Sequence, residues 1–386
     1  MPAKTLLVWS DELLQYNFGP THPMAPVRLG FTRSLIGALE LLKSVEVADA
    51  PVAPRAELEL VHDPEFISRV EAEEADLPYG LGTEDDPVFA GMHEAAARIA
   101  GGTVRAAKHV WEGAPSRAVN FAGGMHHAMP GTAAGFCVYN DAAIAIQWLL
   151  DHGAERVAYL DIDAHHGDGV ERAFWDDPRV LTISIHQTGM SLFPGTGFAQ
   201  DVGGPRARGT AVNVALPART RDEGWLRALV SVADPLLRQF DAQVLVSQHG
   251  CDSHYRDPLT QLEISVDAQR IAAEMIRAWA SEYAGGRWLA VGGGGYDIAS
   301  TVPRVWANLV AIASEQDLDP ATPLPRRWRS DLVAAGFEVA ETMSDERQPQ
   351  HGYFAEGYDP ADPIDRVIMA TRRAVFPEHG LDPMLD

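Results

Sequence analysis

The nine residues Asp161-Ile162-Asp163-Ala164-His165-His166-Gly167-Asp168-Gly169 constrain this chain more than any other stretch. They follow an apolar run, Arg156-Val157-Ala158-Tyr159-Leu160, that reads as a buried strand. Five ionisable side chains then fall within eight residues at the strand's end. Buried charges left unpaired are costly, and a divalent cation relieves that cost. Residues i and i+2 of an extended segment point to one side, so Asp163 and His165 are placed to grip one ion together. The plainer reading is a solvated acidic loop. The bounding glycines and the paired histidines argue against it.

Composition narrows the partners. The 386 residues are long for one domain, and 46% are hydrophobic, enough for a sizeable core. A formal net charge of −23 argues against nucleic acid or an anionic membrane surface as partner, and suits a cationic substrate. Two cysteines, Cys137 and Cys251, do not make a disulfide framework. No apolar run reaches the length of a membrane span. Residues 1–10 read as a first strand and not as a signal peptide. The expectation is a soluble cytoplasmic protein.

Short β-rich runs at residues 6–9, 118–121, 157–160, 180–185, 211–216, 244–247 and 288–291 alternate with helix-like segments such as 92–110, 141–152, 223–240 and 267–283. Asn140-Asp141 ahead of Ala142-Ala143-Ile144 is a helix N-cap signal. The alternation predicts an α/β fold, a three-layer α/β/α arrangement with a mainly parallel central sheet. There is no internal repeat. The Pro-rich stretch 317–325 has the character of a linker, and the chain reads as a single domain over residues 1–386, with about 318–386 as a C-terminal elaboration.

The polar clusters fall at one kind of place. His126-His127 follows the strand at 118–121; Asp163 and His165 follow 157–160; His186 ends 180–185; Asp252 follows 244–247; Tyr296 follows 288–291 through Gly292-Gly293-Gly294-Gly295. Ligands of open α/β sheets bind outside the carboxyl ends of the strands. Asp163, His165 and Asp252 supply two carboxylates and an imidazole, leaving open positions on Zn²⁺ for water and a substrate oxygen. Asp161 and Asp168 remain to pair with His126 and His127, fixing their tautomers. Adjacent histidines alone are as readily a structural pair, and a glycine run before a tyrosine is as readily a turn. Beside a metal loop, a Tyr296 phenol is placed to donate to a developing oxyanion. Phe136 and Phe193 are core residues by default, or walls of an apolar channel for an aliphatic stem with a carbonyl tip.

These segments together resemble the histone deacetylase superfamily, with its arginase/deacetylase fold, and more narrowly the bacterial acetoin-utilisation (AcuC) deacetylases. The likeness is carried by His22-Pro23-Met24-Ala25-Pro26-Val27-Arg28-Leu29, Gly80-Leu81-Gly82-Thr83-Glu84-Asp85-Asp86-Pro87, Gly123-Gly124-Met125-His126-His127-Ala128 and Gly135-Phe136-Cys137-Val138-Tyr139-Asn140-Asp141. The metal loop, Leu192-Phe193-Pro194-Gly195-Thr196-Gly197, Gln248-His249-Gly250-Cys251-Asp252 and the run from Gly292 to Asp297 complete it.

The resemblance implies Zn²⁺ on Asp163, His165 and Asp252, with Fe²⁺ as the alternative metal in the cell. It implies His127 as general base and then acid, His126 with Asp161 as electrostatic partner, and Tyr296 as oxyanion donor. The family often has Asn where Asp168 stands; Asp strengthens the pairing with His127. Asp85 in the rim loop resembles the residue that holds the substrate backbone; Gly135, Phe136, Phe193 and Gly294 complete the implied substrate-binding set. Arg28 resembles the arginine of an internal cavity below the metal. A structural K⁺ is implied near Asp161, Asp163, His165, Ser184 and Ile185.

The implied activity is deacetylation of N6-acetyl-lysine in proteins, for acetoin-utilisation relatives a metabolic enzyme such as acetyl-CoA synthetase. An acetylpolyamine amidohydrolase of the same fold is the first alternative. A dimanganese ureohydrolase needs further bridging aspartates, and the late cluster has Asp252 and His254 without an Asp-x-Asp. A non-catalytic binder of acetylated ligands needs neither His127 nor Tyr296.

Overall fold

Eight strands, among the described residues, pair side by side into one sheet: β1 (Thr5–Val8), β2 (Val45–Ala48), β3 (Ser116–Asn120), β4 (Val157–Asp161), β5 (Val180–Gln187), β6 (Ala211–Leu216), β7 (Val244–Gln248) and β8 (Arg287–Val291). This computed structural model describes residues 5–113 and 115–386; the first four residues of the segment read as a leading strand, 1–10, lie outside it. The order across the sheet is β2-β1-β3-β8-β7-β4-β5-β6, and every pairing is parallel. β4, β5 and β7 are buried along their whole length, which is why they read as continuous apolar runs without alternation.

Helices cover both faces. Met92–Glu112 and Asp141–Asp151 pack together on one side; Val27–Ala38, Thr301–Ala313, Val266–Tyr283 and Asp222–Phe240 pack in succession on the other. The result is the three-layer arrangement. Asn140 caps its helix as its sequence suggests, its side chain accepting the Ala143 amide at 3.0 Å. The unforeseen strand is β2. It is four residues long, pairs only with β1, and leaves Glu46 and Val47 exposed, so neither length nor alternation marks it.

The Pro-rich 317–325 stretch leads directly into helix Arg326–Ala334, whose Trp328 donates to Phe31 O and Ser34 Oγ on helix Val27–Ala38. Further on, helix Pro363–Val375 packs on β6 and on Asp222–Phe240. Among the described residues, no helix is long and apolar enough to cross a membrane.

Candidate active site

Parallel strands bring their carboxyl ends to one edge of the sheet. Register then decides which residues meet there. Asp161, the last residue of β4, lies opposite Ser184 of β5 and Gln248 of β7. The chain leaves β4 in an irregular turn, so Asp163 and His165 sit just beyond the strand and not within it.

Three side chains converge in that turn. His165 Nδ1 lies 3.1 Å from Asp163 Oδ1 and 2.9 Å from Asp252 Oδ2, and one donor atom from each of the three falls within 4.8 Å of the others. The far oxygens are already committed: Asp163 Oδ2 accepts from Gln248 Nε2 at 2.7 Å and Gly294 N at 2.9 Å, and Asp252 Oδ1 from Ala164 N at 2.8 Å. The carboxylates are 1% and 0% exposed. Burial by itself would lower the His165 pKa, but the charges of Asp252 and Asp163 raise it to about 10. The pocket therefore calls for positive charge at the point where the lone pairs meet. Two carboxylates and an imidazole, aimed at one buried point, are the donor set of a divalent metal site with open positions. A metal bound there takes the ring in its neutral form.

Two histidine–aspartate pairs stand beside the triad. His126 Nδ1 is 2.8 Å from Asp161 Oδ2, and Asp161 is steadied by Tyr159 Oη at 2.7 Å and by the Asp163 amide at 3.1 Å. His127 Nδ1 is 2.7 Å from Asp168 Oδ1. The loop carrying both rings is clamped at each end. Asp141 accepts the amides of Gly124 and Met125, at 3.0 and 2.7 Å, and Asn140 Nδ2 donates to Ala128 O at 3.0 Å. The environments split the two rings. Burial opposes protonation of His126, but Asp161 and Asp163 raise its pKa to about 9; burial and the charge on His126 push His127 down to about 4. His127 is thus the neutral ring of the pair.

The walls are aromatic. Phe193 packs edge-on against His127, with ring centroids 4.9 Å apart, and Phe136 edge-on against Tyr296 at 5.8 Å. Gly135 and Phe136 both have positive φ, +55° and +69°. A Cβ on Gly135 would stand 2.6 Å from His127 Cδ2 and 2.8 Å from Phe193 Cε1, so only glycine lets the backbone come this close. Gly294 is equally tight: a Cβ there would overlap Asp252 Oδ2. The Tyr296 phenol has its pKa raised by burial and then by Asp252 and Asp163, which keeps its hydroxyl a donor. Arg28 reaches Gly295 O at 2.9 Å and stacks over Trp306.

Other residues singled out in the sequence lie further off. Asp85 is exposed on the rim loop, where its backbone carbonyl accepts from His22 Nε2 at 3.0 Å. Ser184 and Ile185 lie inside β5, Ser184 opposite Asp161 in register. His186 is the penultimate residue of β5, so it does stand at the strand's end, but its ring is engaged elsewhere. That ring is held by Ser184 Oγ at 2.8 Å and Gly197 O at 2.9 Å, apart from the triad. Gln248, Tyr159 and Asp141 are the contributors that the sequence did not single out for this role. Gln248 carried a signal, standing four residues before Asp252 in the run Gln248-His249-Gly250-Cys251-Asp252; Asp141 was legible only as a capping residue.

Residues 22–313 match the model of the histone deacetylase domain. The chain belongs to the histone deacetylase family. It is 41% identical over 332 residues to the acetoin utilization protein AcuC of Bacillus subtilis, covering 84% of this chain and 85% of the relative. The AcuC protein of Staphylococcus xylosus is 36% identical over 336 residues, covering 85% and 87%. Among solved structures, an HDAC homolog complexed with SAHA superposes with a TM-score of 0.83 at 26% identity, over 96% of this chain and all of that one. An HDAC homolog from Aquifex aeolicus gives 0.82 at 26% identity, over 95% of this chain and all of that one. Family membership makes the chain a deacetylase of the hydrolase class, acting on an acetylated substrate. It also implies a metal ion, for which Asp163, His165 and Asp252 form the candidate site.

Proposed function

We propose that this chain is a zinc-dependent deacetylase that hydrolyses the acetamide of N6-acetyl-lysine in proteins. The proposed setting is the cytoplasm, and the proposed target a metabolic enzyme such as acetyl-CoA synthetase in acetoin or acetate utilisation. The observation that carries the reading is the convergence of the Asp163–His165–Asp252 triad with a neutral His127 and a protonated Tyr296 at one sheet edge.

Asp163, His165 and Asp252 would hold the Zn²⁺, with Fe²⁺ as the cellular alternative. Bound there, the ion supplies Lewis-acid polarisation of the amide carbonyl and activation of the attacking water. His127, neutral and tautomerically fixed by Asp168, takes the water's proton at Nε2 and returns it to the leaving amine. His126, held protonated by Asp161, lends positive charge to the developing oxyanion. Tyr296 donates its hydroxyl to the same oxygen. Phe136, Phe193 and Gly135 line the slot for the lysine stem, Gly294 backs it beside the triad, and Asp85 meets the substrate backbone at the rim. A structural K⁺ is proposed by Asp161, Asp163, His165, Ser184 and Ile185.

The dimanganese alternative loses support because His254 is committed elsewhere, to Asp345 Oδ2 at 2.8 Å and Thr301 Oγ1 at 3.0 Å. Among the described residues, a single cluster offers metal ligands. The deciding experiment assays the Zn²⁺-loaded protein on acetyl-lysine peptides and on acetylated putrescine and spermidine. Cleavage of the peptides supports the reading. Cleavage of the polyamines alone replaces it with an acetylpolyamine amidohydrolase, and no cleavage of either class overturns it.

A further inference from the structure

We infer that Asp257 is the positioning residue that aims Tyr296 at the reacting carbonyl, an inference that rests on the oxyanion role proposed for Tyr296. Tyr296 follows four glycines, two of which, Gly293 and Gly295, have φ of +141° and +146°. Such backbone has no side chains with which to fix its own path. It is fixed from outside, at successive atoms. Gly294 N donates to Asp163 Oδ2, Gly294 O accepts from Cys251 N, and Gly295 O accepts from Arg28 Nη1. At Tyr296 itself the anchor is Asp257, whose Oδ2 accepts the Tyr296 amide at 2.9 Å.

Asp257 is well placed to transmit position. It is 8% exposed, its Oδ1 accepts the Leu259 amide at 2.9 Å, and its own amide donates to His254 O at 2.8 Å. Its neighbour Arg256 reaches Asp297 Oδ2, one residue past Tyr296, at 3.3 Å. The segment begins just after the triad residue Asp252, whose carbonyl accepts from Thr260 Oγ1. One short loop therefore joins a metal-ligand carboxylate to the backbone of the oxyanion donor and sets their spacing. With Gly295 O and the Tyr296 amide both held, the peptide plane between them places the Tyr296 Cα, and a shift of about 1 Å in a catalytic group costs on the order of 100-fold in rate.

A double-mutant cycle tests this, with kcat, KM, metal content and Tm measured for Tyr296→Phe, Asp257→Ala, Asp257→Asn and Asp257→Ala combined with Tyr296→Phe. Tyr296→Phe is expected to lower kcat by about 10²–10³. Asp257→Ala is expected to lower kcat by roughly 10–100-fold with KM and metal content little changed. In the Tyr296→Phe background the same Asp257→Ala change should cost less than about 3-fold more, because the hydroxyl it positions is gone. Asp257→Asn keeps the shape but turns an amino group toward one of the two amides, and should fall between wild type and alanine; it serves alone if the alanine protein does not fold. Equal losses in both backgrounds would make Asp257 merely structural and overturn the inference, as would wild-type kcat in both Asp257 variants. A normal kcat in Tyr296→Phe overturns the oxyanion reading and the inference together, and is seen in that single variant alone.

Discussion

The rings of His126 and His127 lie 4.0 Å apart, yet each gives its Nδ1 to a different aspartate, Asp161 for one and Asp168 for the other. Asp161 and Asp163 outweigh burial and hold His126 up at about 9, while burial and then the charge on His126 push His127 down to about 4, so the pair divides its labour. The division predicts different phenotypes. His127→Ala should retain its metal and lose roughly 100-fold or more in kcat, the usual effect of removing a general acid–base. His126→Ala should be the milder lesion. Steady-state kinetics beside metal analysis check this; a dead His126→Ala enzyme with a near-normal His127→Ala one reverses the roles.

Asp163 and Asp252 present two buried carboxylates to one point, with far oxygens already bonded to Gly294, Gln248 and Ala164. Purified protein should therefore carry one divalent ion per chain at this site, and Asp252→Ala should lose it. A chelator should lower Tm and added Zn²⁺ restore it, because a ligand bound only by the folded state stabilises that state. Two tightly held ions per chain, or a Tm indifferent to chelation, would count against the site.

Ligand chemistry was legible in the sequence where it is written in short segments. Asp163 and His165 are two residues apart, and His126 and His127 are adjacent. Some meetings of distant segments were legible too, Asp252 with the metal loop and His126 and His127 with Asp161 and Asp168, because each lies at or just past a strand's end; others were not. Gln248 reaches Asp163 because β7 pairs with β4 in a register that sets it opposite Asp161, and Asp257 reaches Tyr296 across 39 residues. No local pattern encodes either meeting. The sheet was foreseen from its buried strands, and the one missed, β2, lies at the edge with half its side chains in solvent. His186 does stand at the end of β5, one residue before Gln187, but its ring is taken up by Ser184 and Gly197, which its position in the sequence did not show.

Gly135 brings its backbone close against His127 and Phe193. Its φ of +55° is costly for a side-chain-bearing residue, and a Cβ would press on both His127 and Phe193. Gly135→Ala should lower kcat/KM at least about 10-fold by displacing groups that must be held to within an ångström. Metal content should be unchanged, since no ligand is touched. A Gly135→Ala enzyme with wild-type kcat/KM on acetyl-lysine peptides would show that the Gly135 backbone does not border the substrate path.

Part of the acid sensitivity should come from a histidine away from the triad. His62 is 2% exposed; its Nδ1 donates to Met129 O at 3.1 Å, and its Nε2 accepts the Asn140 amide at 2.9 Å. The bond accepted at Nε2 requires the neutral ring, and burial lowers its pKa to about 4. The unfolded chain, with an ordinary imidazole pKa near 6.5, takes up the proton first. Stability is therefore full above about pH 6.5 and falls as pH drops toward the folded value, by on the order of 3 kcal/mol once both states are protonated. His62→Gln removes the titrating group. Urea unfolding at pH 7.5 and pH 5 should show wild type losing about 2 kcal/mol more over that interval than the variant. Equal losses in the two proteins would mean that His62 does not titrate in this range and that the acid sensitivity lies elsewhere.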